Sequence, residues 1–543
     1  MSAPVRPLSD QATRDRARVD FDTNLVVVAG AGTGKTRLLV DRVLHLVLTG
    51  KARLEEILAI TFTEKAAGEM RERVAKALDA ALAADSPAAA PERERARAAI
   101  EMLDAAPIST IHSYCSDLLR RFADRAGLPP EFQVDDGIGQ EFLFDELWPQ
   151  FLAEELGTEA ARAALWGQVL TAFGEEEIAK AAGELALRGA AADLLASSGY
   201  RPIDLRDALG GRATALVENL AAARGEVKTG GKLIMAPFLD SILTLLRAFL
   251  EGGAEALRGV DPANLPLSNI WDRDKSPKAG GVSEERREEI EKEALGALKL
   301  LKVFRGTNEA EIAALLEALR PFAAALRRRV RRDGILSYDD LLLLARDLLR
   351  DHPEARREEA ERIRFLLVDE FQDTDPLQYE IVFLLAARDR KARIADPFAA
   401  EIESSRLFIV GDPKQSIYRF RGADMAAFVR ARDRVVETGA EESLVTNFRS
   451  LPEVVDPVNR LFERWIGPRD ESERDVEPAY EPIRAHRPPA GAPRVELWSV
   501  TAPEGMRVDE RRPAEAREIA REILEITRPG SAFRVGDAKE ARP

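Results

Sequence analysis

The glycine-rich run AGAGTGKT, residues 29–36, constrains this chain more than any other feature. The apolar run before it, NLVVVA at 24–29, predicts a buried strand, and the pattern over 35–48 predicts a helix. The run fits the phosphate-binding pattern GxxxxGK followed by Ser or Thr, with Ala29 at the first position instead of glycine. Strand, glycine turn and helix in this order predict a parallel α/β domain built around a phosphate site.

Each residue type in the run has a chemical reason to be there. The glycines allow backbone N–H groups to turn inward around an anion, and the dipole of the following helix favours negative charge there. Lys35 is expected to reach the β- and γ-phosphates of ATP, and the Thr36 hydroxyl to ligate Mg²⁺. A chance glycine turn is the competing interpretation. The predicted cofactors are therefore ATP and Mg²⁺, and the expected nucleotide contacts in the run are Ala29, Gly30, Ala31, Gly32, Thr33, Gly34, Lys35 and Thr36.

A second motif, FLLVDEFQDTDP at 365–376, places two acids at the end of a hydrophobic run. Ligands of open α/β sheets bind at the carboxyl ends of the strands. Asp369 fits the aspartate that holds Mg²⁺ in a nucleotide hydrolase, and Glu370 is suited to act as general base for the attacking water. The alternative is an acidic helix N-terminus stabilised by the helix dipole, which is weaker beside a phosphate loop.

Composition excludes several classes of protein. The chain has 543 residues, 45% of them hydrophobic, which excludes wholesale disorder. Its single cysteine, Cys115, excludes a disulfide framework and a cysteine-rich zinc site. We find no transmembrane or signal-peptide pattern and expect a cytoplasmic protein with no membrane partner. The net charge of −15 does not argue against nucleic acid, because the DNA path of a large motor is a local groove.

Helix and strand patterns divide the chain into segments. Strands are predicted at 57–62, 364–368, 406–410 and 493–500, and helices at 64–82, 92–103, 110–123, 376–387, 424–437 and 514–526. From about 125 to 335 strand patterns vanish, which predicts a helical insertion. Within it, ALRRRVRRD at 325–333 is either a DNA-facing basic patch or a solvated helix end. The stretch 467–492 is rich in proline and charge and predicts a linker.

Five further runs carry a resemblance to a known family. They are AITFTEKAAGEMRERV at 59–74, STIHSYC at 109–115, LSYDDLL at 336–342, FIVGDPKQSIYRFRGAD at 408–424 and LVTNFRS at 444–450. Together with the phosphate loop they resemble superfamily 1 DNA helicases of the UvrD/RecB type, most closely the RecB/AddA branch.

The resemblance implies a fold as well as an activity. The implied fold class is α/β, a P-loop NTPase with a RecA-like parallel-sheet motor domain, a large all-α insertion and a partial second RecA-like domain. The first motor domain is expected at 1–124 and 336–450, the helical insertion at 125–335, and the incomplete second domain at 451–543.

The resemblance also assigns nucleotide roles beyond the phosphate loop. Gln11 is expected to contact the base, with a helix-start residue as the alternative, and Arg37 is expected near the nucleotide. Phe448 is expected to stack on adenine. The implied catalytic set is Glu370, Lys35, Gln415 as γ-phosphate sensor and Arg449 as cationic clamp.

A separate group of residues is implied to bind DNA. Aromatic side chains are expected to stack on bases of any sequence, which suits a translocase. For Phe62 the alternative is core packing, and for Tyr338, a further candidate beside Ser113, it is packing at a domain seam. His112 has no second ligand at metal-binding spacing. The implied contacts are Phe62, Thr63, Thr110, His112, Tyr418, Phe420 and Arg421.

Two functions remain open from the sequence. One is an ATP-dependent helicase or translocase on single-stranded DNA, moving 3′→5′ by resemblance and acting in recombinational double-strand break repair. The other is an ATP- and DNA-binding module that needs a partner chain or further sequence, because the family's later motifs are not found after the 514–526 helix. Single-stranded or duplex DNA is the expected partner, with a possible partner subunit of an AddAB- or RecBCD-like complex.

Overall fold

A computed structural model of the chain describes residues 8–83, 90–157, 162–196, 204–228, 234–273, 275, 281–417, 424–465, 480–489, 495 and 508–531. Its α-helices are, in chain order, α1 (Gln11–Val19), α2 (Lys35–Leu48), α3 (Glu64–Leu82), α4 (Ala90–Glu101), α5 (Ile111–Arg121), α6 (Ala123–Ala126), α7 (Ile138–Glu155), α8 (Ala163–Ala172), α9 (Glu175–Ala186), α10 (Gly189–Ala196), α11 (Leu205–Glu226), α12 (Met235–Gly259), α13 (Glu284–Gly306), α14 (Glu309–Asp333), α15 (Tyr338–Asp351), α16 (Pro353–Arg362), α17 (Pro376–Ala386), α18 (Met425–Val436), α19 (Pro452–Trp465) and α20 (Val508–Thr527).

The strands are shorter and fewer than the helices in the part of the chain that is described. They are β1 (Asn24–Ala29), β2 (Ile57–Thr61), β3 (Ile108–Thr110), β4 (Gln133–Val134), β5 (Ile335–Leu336), β6 (Phe365–Val368), β7 (Leu407–Gly411), β8 (Gly439–Leu444), β9 (Thr446–Asn447) and β10 (Arg484–Ala485). Every pairing reported between these strands is parallel. The fold is therefore mixed α/β with parallel strands and mostly helical content.

The contacts between residues group the chain into two compact units. Unit 1 consists of Met1–His45, Asp369–Asp373 and Phe408–Pro543. Unit 2 consists of Leu46–Val368 and Thr374–Leu407.

Strand β1 lies at the centre of the parallel strands of unit 1. It pairs with β7, where Leu25 lies opposite Phe408, and with β8, where Leu25 lies opposite Ala440. Its apolar side chains are buried on both faces, as expected for a parallel strand covered by helices. The phosphate loop leaves from the carboxyl end of this strand.

Unit 2 has its own set of parallel strands, with β2 between β3 and β6. All residues of β2 and β6 are buried. Two threonines follow the pattern of helix caps at the ends of these strands: Thr63 accepts a hydrogen bond from Ala66 N at the start of α3, and Thr110 accepts one from Ser113 N at the start of α5. The caps place both threonines beside strand ends.

Between Ile138 and Asp333 the described residues form α-helices joined by turns and short 3₁₀ segments. Helices α11, α12 and α13 share one apolar core, in which the rings of Phe249 and Phe304 stack at 4.3 Å. A second aromatic cluster includes Trp148 and Phe322, whose ring centroids lie 4.9 Å apart. Large aromatic rings supply much of the apolar area that these helices bury.

The basic run at 325–333 is neither of the two surfaces considered from the sequence. Arg327 is buried, and its guanidinium contacts the Asp340 carboxylate at 2.5 Å and the Asp193 carboxylate at 3.3 Å. Arg331 also pairs with Asp193, at 3.2 Å. Gln140 donates a hydrogen bond to Asp340. These pairs join α7, α10, α14 and α15, because a buried charge needs partners inside the protein.

Most predicted elements are confirmed, and three predictions need correction. The strand β8 was not predicted, because its sequence GAEESL is polar and half-exposed. The predicted linker at 467–492 is described only over 480–489, where it contains β10 paired to β9. The helical region holds the short strands β4 and β5 near its two ends. Apart from Val495, the predicted strand at 493–500 lies outside the described residues.

Among the residues described, no helix has both the length and the apolar character needed to cross a bilayer.

Candidate nucleotide and nucleic-acid sites

The phosphate loop turns sharply between the end of β1 and the first residue of α2. Gly32 and Gly34 have φ of +72° and +89°, a backbone region that favours glycine because it lacks a Cβ. Thr33 is buried and its hydroxyl donates a hydrogen bond to Gly30 O at 2.8 Å. Alternation of this kind in front of a helix N-terminus forms a concave site for an anion. The geometry therefore fits the phosphates of a nucleotide.

The segment after β8 packs directly on this loop. Asn447 donates from its side-chain amide to Ala31 O at 2.6 Å, and Phe448 N donates to Gly32 O at 2.8 Å. A Cβ on Gly32 would come within 2.7 Å of the Asn447 amide nitrogen, so only glycine fits there. Arg449 is exposed beside the same glycine. Asn447 was missed by the sequence reasoning, although its position next to Phe448 was a usable signal.

The acidic pair follows β6 directly and meets the lysine of the loop. The Lys35 ammonium contacts the Glu370 carboxylate at 2.8 Å. Glu370 has φ of +49°, which is uncommon outside glycine and is a form of strain that clusters at functional sites. Asp369 is buried and accepts a hydrogen bond from Glu370 N at 3.0 Å.

Burial and crowding of negative charge change the acidity of two aspartates here. Burial, reinforced by the nearby charge of Glu370, raises the pKa of Asp369 to about 7. The same two causes raise the pKa of Asp373 to about 6. One oxygen of Asp373 is buried and receives no hydrogen bond from any described residue. Carboxylates in this condition gain stability from a cation.

These acids fit a magnesium ion that arrives with a nucleotide. In the described residues no group of three or more His, Cys, Asp and Glu side chains is placed to hold a metal by itself. Mg²⁺ typically uses one or two carboxylates together with substrate phosphates and water. Thr36, half-buried in the first turn of α2, and Asp369 supply the hard oxygen ligands that such an ion prefers. The donor set therefore suits Mg²⁺.

Gln415 lies in a short 3₁₀ turn, Pro413–Gln415, just after β7. Its side-chain amide donates to the Asp412 carboxylate at 2.7 Å, and the Lys414 ammonium pairs with the same carboxylate at 3.1 Å. Asp412 N in turn donates to the Gln372 side-chain oxygen at 2.8 Å. The predicted sensor is thus connected to the acidic motif through Gln372.

A cleft of about 470 Å³ opens beside the phosphate loop in unit 1. Gln11, Arg37 and Phe448, all expected near the base, line it together with Arg14. Gln11 donates to the Asp15 carboxylate at 3.1 Å, and Arg37 is exposed with Asp41 3.7 Å away. The three residues predicted from separate runs therefore meet at one cleft.

Arg14 is the residue of this cleft that the sequence reasoning missed. Its guanidinium lies 4.9 Å from the centre of the Phe448 ring and donates to Thr33 O at 2.8 Å. It also pairs with the buried Asp10 carboxylate, which accepts hydrogen bonds from Val445 N and Thr446 N. Arg14 follows Gln11 by three residues on α1 and so shares its face of the helix.

Residues of the predicted linker cover part of the same region. His486 packs its ring 5.1 Å from that of Phe448, and His486 N donates to Asn447 O. A Cβ on Gly30 would come within 2.9 Å of Ile483. Residues 480–489 are thus packed on the phosphate loop and the Phe448 segment.

A second cleft, of about 540 Å³, lies within unit 2. Its lining includes the predicted DNA contacts Phe62, Thr63, Thr110 and His112 together with Tyr338. The rings of His112 and Tyr338 meet edge to face at 5.7 Å. Burial lowers the pKa of His112, so its imidazole is neutral at neutral pH. The structure brings these residues to one exposed, aromatic-lined cleft.

Glu64 changes the chemistry of this cleft and was not singled out from the sequence. The hydroxyls of Thr110 and Ser113 both donate to the same Glu64 oxygen at 2.6 Å. These hydrogen bonds, first from Ser113 and then from Thr110, lower the pKa of Glu64. The carboxylate is therefore ionised at neutral pH, and both hydroxyl protons are already used.

Tyr418, Phe420 and Arg421, which were predicted to contact DNA, lie outside the described residues.

Comparison with known proteins adds relatives of one kind. The chain is 25% identical over 499 residues to an ATP-dependent helicase/nuclease subunit of Alkaliphilus metalliredigens, covering 84% of the chain and 39% of that protein. It is 30% identical over 509 residues to the protein of the same name from Desulforudis audaxviator, covering 82% of the chain and 39% of the relative.

The chain thus spans about two fifths of the length of these relatives. A family model described as the UvrD/REP helicase N-terminal domain matches residues 10–435, which is most of the chain. These residues include the phosphate loop, the acidic pair and the lining of the second cleft, and the chain belongs to the UvrD/REP helicase family.

Proposed function

We propose that this chain is the ATP-binding motor portion of a DNA helicase or translocase. The observation that carries the proposal is the contact at 2.8 Å between the Lys35 ammonium and Glu370, beside the buried Asp369. A glycine-shaped phosphate loop, a lysine and two acids at one place are the parts that phosphoryl transfer to water requires. Family membership and relatives named as helicase/nuclease subunits support the same activity.

In the proposed mechanism the residues of the loop divide the work. Lys35 exchanges its contact with Glu370 for the phosphates of ATP, which leaves the Glu370 carboxylate available to take the proton of the attacking water. A magnesium ion held by Thr36 and Asp369 neutralises charge on the phosphates. Gln415 and Arg449 are proposed as the γ-phosphate sensor and clamp, and Gln11, Arg37 and Phe448 as the contacts to the base.

The second cleft is proposed as part of the path of single-stranded DNA. Phe62 and Tyr338 offer faces on which bases stack independently of sequence, with Thr63, Thr110 and His112 as polar contacts. Tyr418, Phe420 and Arg421 are proposed to extend this path. Movement in the 3′→5′ direction and a role in recombinational double-strand break repair are proposed from the family resemblance.

The domain arrangement is proposed on the same basis. Residues 1–124 and 336–450 form the first RecA-like motor domain, 125–335 an all-α insertion and 451–543 the beginning of a second RecA-like domain. The helices between Ile138 and Asp333 support the insertion. A partner chain, as in AddAB- or RecBCD-like complexes, and a cytoplasmic location complete the proposal.

A second function is favoured by one observation. Because the chain spans 39% of the relatives compared, the described sites also fit a module that binds ATP and DNA but does not unwind DNA by itself. Such a module works only with a partner chain or with further sequence.

Steady-state ATP hydrolysis by the purified chain, with and without single-stranded oligo(dT), separates the two. The motor predicts turnover that the oligonucleotide stimulates and that Lys35→Ala abolishes. Binding of ATP without stimulated turnover favours the module. Equal turnover in the wild type and Lys35→Ala contradicts both, since each places ATP at this loop.

A further inference from the structure

The side chain of Gln372 lies between the acidic motif and the turn that holds Gln415. Gln372 is buried, with 2% of its surface exposed. Its amide nitrogen donates to Glu370 Oε2 at 2.9 Å and to an Asp373 carboxylate oxygen at 3.2 Å. Its amide oxygen accepts a hydrogen bond from Asp412 N at 2.8 Å. Both ends of one short side chain are therefore engaged, each with a different segment.

The two ends fix the orientation of the amide. A backbone N–H requires an acceptor, so the oxygen must face Asp412, and the nitrogen must then face Glu370. The backbone carbonyl of Gln372 adds a third link, because it accepts a hydrogen bond from the Ser416 hydroxyl at 3.1 Å. Glutamine is thus the side chain that satisfies the acid and the backbone N–H at once.

The residue opposite Gln372 leaves it no freedom to move. A Cβ on Gly411, the last residue of β7, would come within 2.8 Å of the Gln372 side-chain oxygen and 3.4 Å of its backbone nitrogen. Gly411 immediately precedes Asp412, so the absence of a side chain there lets the amide reach Asp412 N. The close approach sets the spacing between the acidic motif and the end of β7.

Glu370 itself is held from only a few directions. Lys35 contacts the same Oε2 atom that Gln372 does. When Lys35 turns to the phosphates, as the proposed function requires, the amide of Gln372 is the remaining side-chain donor on Glu370 among the contacts described. The position of the carboxylate then follows that of Gln372, and through Asp412 that of the turn 413–417.

We propose that Gln372 is a positioning residue that holds Glu370 for water activation and couples it to the Asp412–Ile417 segment, which leads along the chain to the proposed DNA contacts. The inference rests on the proposed function. A shift of the segment when DNA binds is transmitted through Asp412 N to the amide, and from the amide to the base. A reacting group displaced by about 1 Å loses roughly a hundredfold in rate, which makes this link a sufficient control.

Two variants test the link. Gln372→Glu keeps an acceptor for Asp412 N and removes the donor to Glu370, and Gln372→Met, of similar length, removes both polar ends. Gln168→Glu and Gln168→Met are the matched controls, at an exposed glutamine on α8. For each protein we would measure affinity for a fluorescent ATP analogue, affinity for labelled oligo(dT) with and without a non-hydrolysable ATP analogue, turnover with saturating oligo(dT), and thermal stability.

The expected result is a loss of turnover of about a hundredfold in both Gln372 variants, with each separate affinity within about threefold of wild type. The ratio of oligo(dT) affinities with and without the ATP analogue should fall to about one, while the Gln168 variants keep the wild-type ratio. This pattern separates coupling from simple unfolding.

Three results would overturn the inference. They are wild-type turnover in both variants, reduced turnover with the coupling ratio unchanged, and parallel loss of both affinities with thermal stability. A wild-type chain that neither hydrolyses ATP nor responds to oligo(dT) would overturn the proposed function, and the inference with it. An active wild type with insensitive Gln372 variants would overturn the inference alone.

Discussion

The ion pair between Lys35 and Glu370 shows how far residue-level prediction reached. The spacing of GKT and the acidic pair after an apolar run pointed to both residues, because phosphate binding and water activation demand these types. Their contact at 2.8 Å was not predictable, since it depends on two runs more than three hundred residues apart. Gln372, Asn447 and Arg14 escaped assignment of a role for the same reason: their partners are distant in sequence.

Replacing Arg14 tests the base cleft. In Arg14→Ala the contacts to Thr33 O and the Phe448 ring are lost, and a charge-assisted hydrogen bond is worth about 1.5–3 kcal/mol. We expect the KM for ATP to rise about tenfold or more with kcat little changed. Arg16→Ala is the control on the same helix, because Arg16 pairs with Glu442 and does not line the cleft. An unchanged KM in Arg14→Ala would show that Arg14 does not support the base site.

Glu64 makes the second cleft less attractive to a polyanion. Glu64→Gln keeps an acceptor for the Thr110 and Ser113 hydroxyls and removes one negative charge. A unit charge about 4 Å from another in water is worth about 1 kcal/mol, so we expect oligo(dT) affinity to rise about fivefold at low salt. The gain should shrink as salt is added.

The control for that variant is Glu69→Gln on the same helix, where the acid pairs with Arg73 at 3.6 Å. Fluorescence anisotropy with labelled oligo(dT) measures both variants. Equal affinity for Glu64→Gln and Glu69→Gln, or weaker binding by Glu64→Gln, would remove this cleft from the DNA path.

Elements were predicted well where they are long and apolar. The helices at 35–48 and 64–82 and the strand at 24–29 have the predicted bounds, because their burial leaves a clear periodicity. The strand β3 has only three residues and β8 pairs only with β1, so neither carries a full pattern. The basic run in α14 was misread because a one-dimensional pattern cannot show that Arg327 faces Asp340 and Asp193.

A buried ion pair between α5 and α16 gives a pH-dependent prediction. Burial of Glu359 opposes its ionisation, but hydrogen bonds from Arg121 and Arg362 outweigh that effect and lower its pKa below the usual 4.5. The stability that ionised Glu359 provides is therefore present above about pH 4.5 and is lost as the pH falls through the lower folded pKa. Tyr114 also donates to Glu359, at 2.8 Å.

We expect Glu359→Gln to lower the free energy of unfolding by about 3 kcal/mol at pH 7, because two arginines lose a buried partner. The deficit should shrink in acid, where wild-type Glu359 is protonated. Urea denaturation at the two pH values measures it, with Glu358→Gln, whose acid is exposed and pairs with Arg125, as the control. A deficit that stays constant with pH would show that Glu359 does not act through its charge.

At the scale of the whole molecule, net charge was uninformative and placement was decisive. The chain carries −15 overall, yet the residues proposed to meet phosphates lie in a cleft with Arg14 and Arg37 and beside Lys35. Family membership follows from the match over residues 10–435. The sequence resemblance identified this family because its motifs occur in order, which composition alone does not reveal.

The central claim is that the acidic pair and phosphate loop form one ATP-hydrolysing site governed by single-stranded DNA. ATP turnover with saturating oligo(dT), measured side by side for the wild type and Glu370→Gln, tests it most directly. The account predicts that Glu370→Gln binds ATP as tightly as wild type and loses turnover by a factor of about 10²–10⁴, the usual contribution of a general base. Turnover by Glu370→Gln equal to that of the wild type would contradict the account.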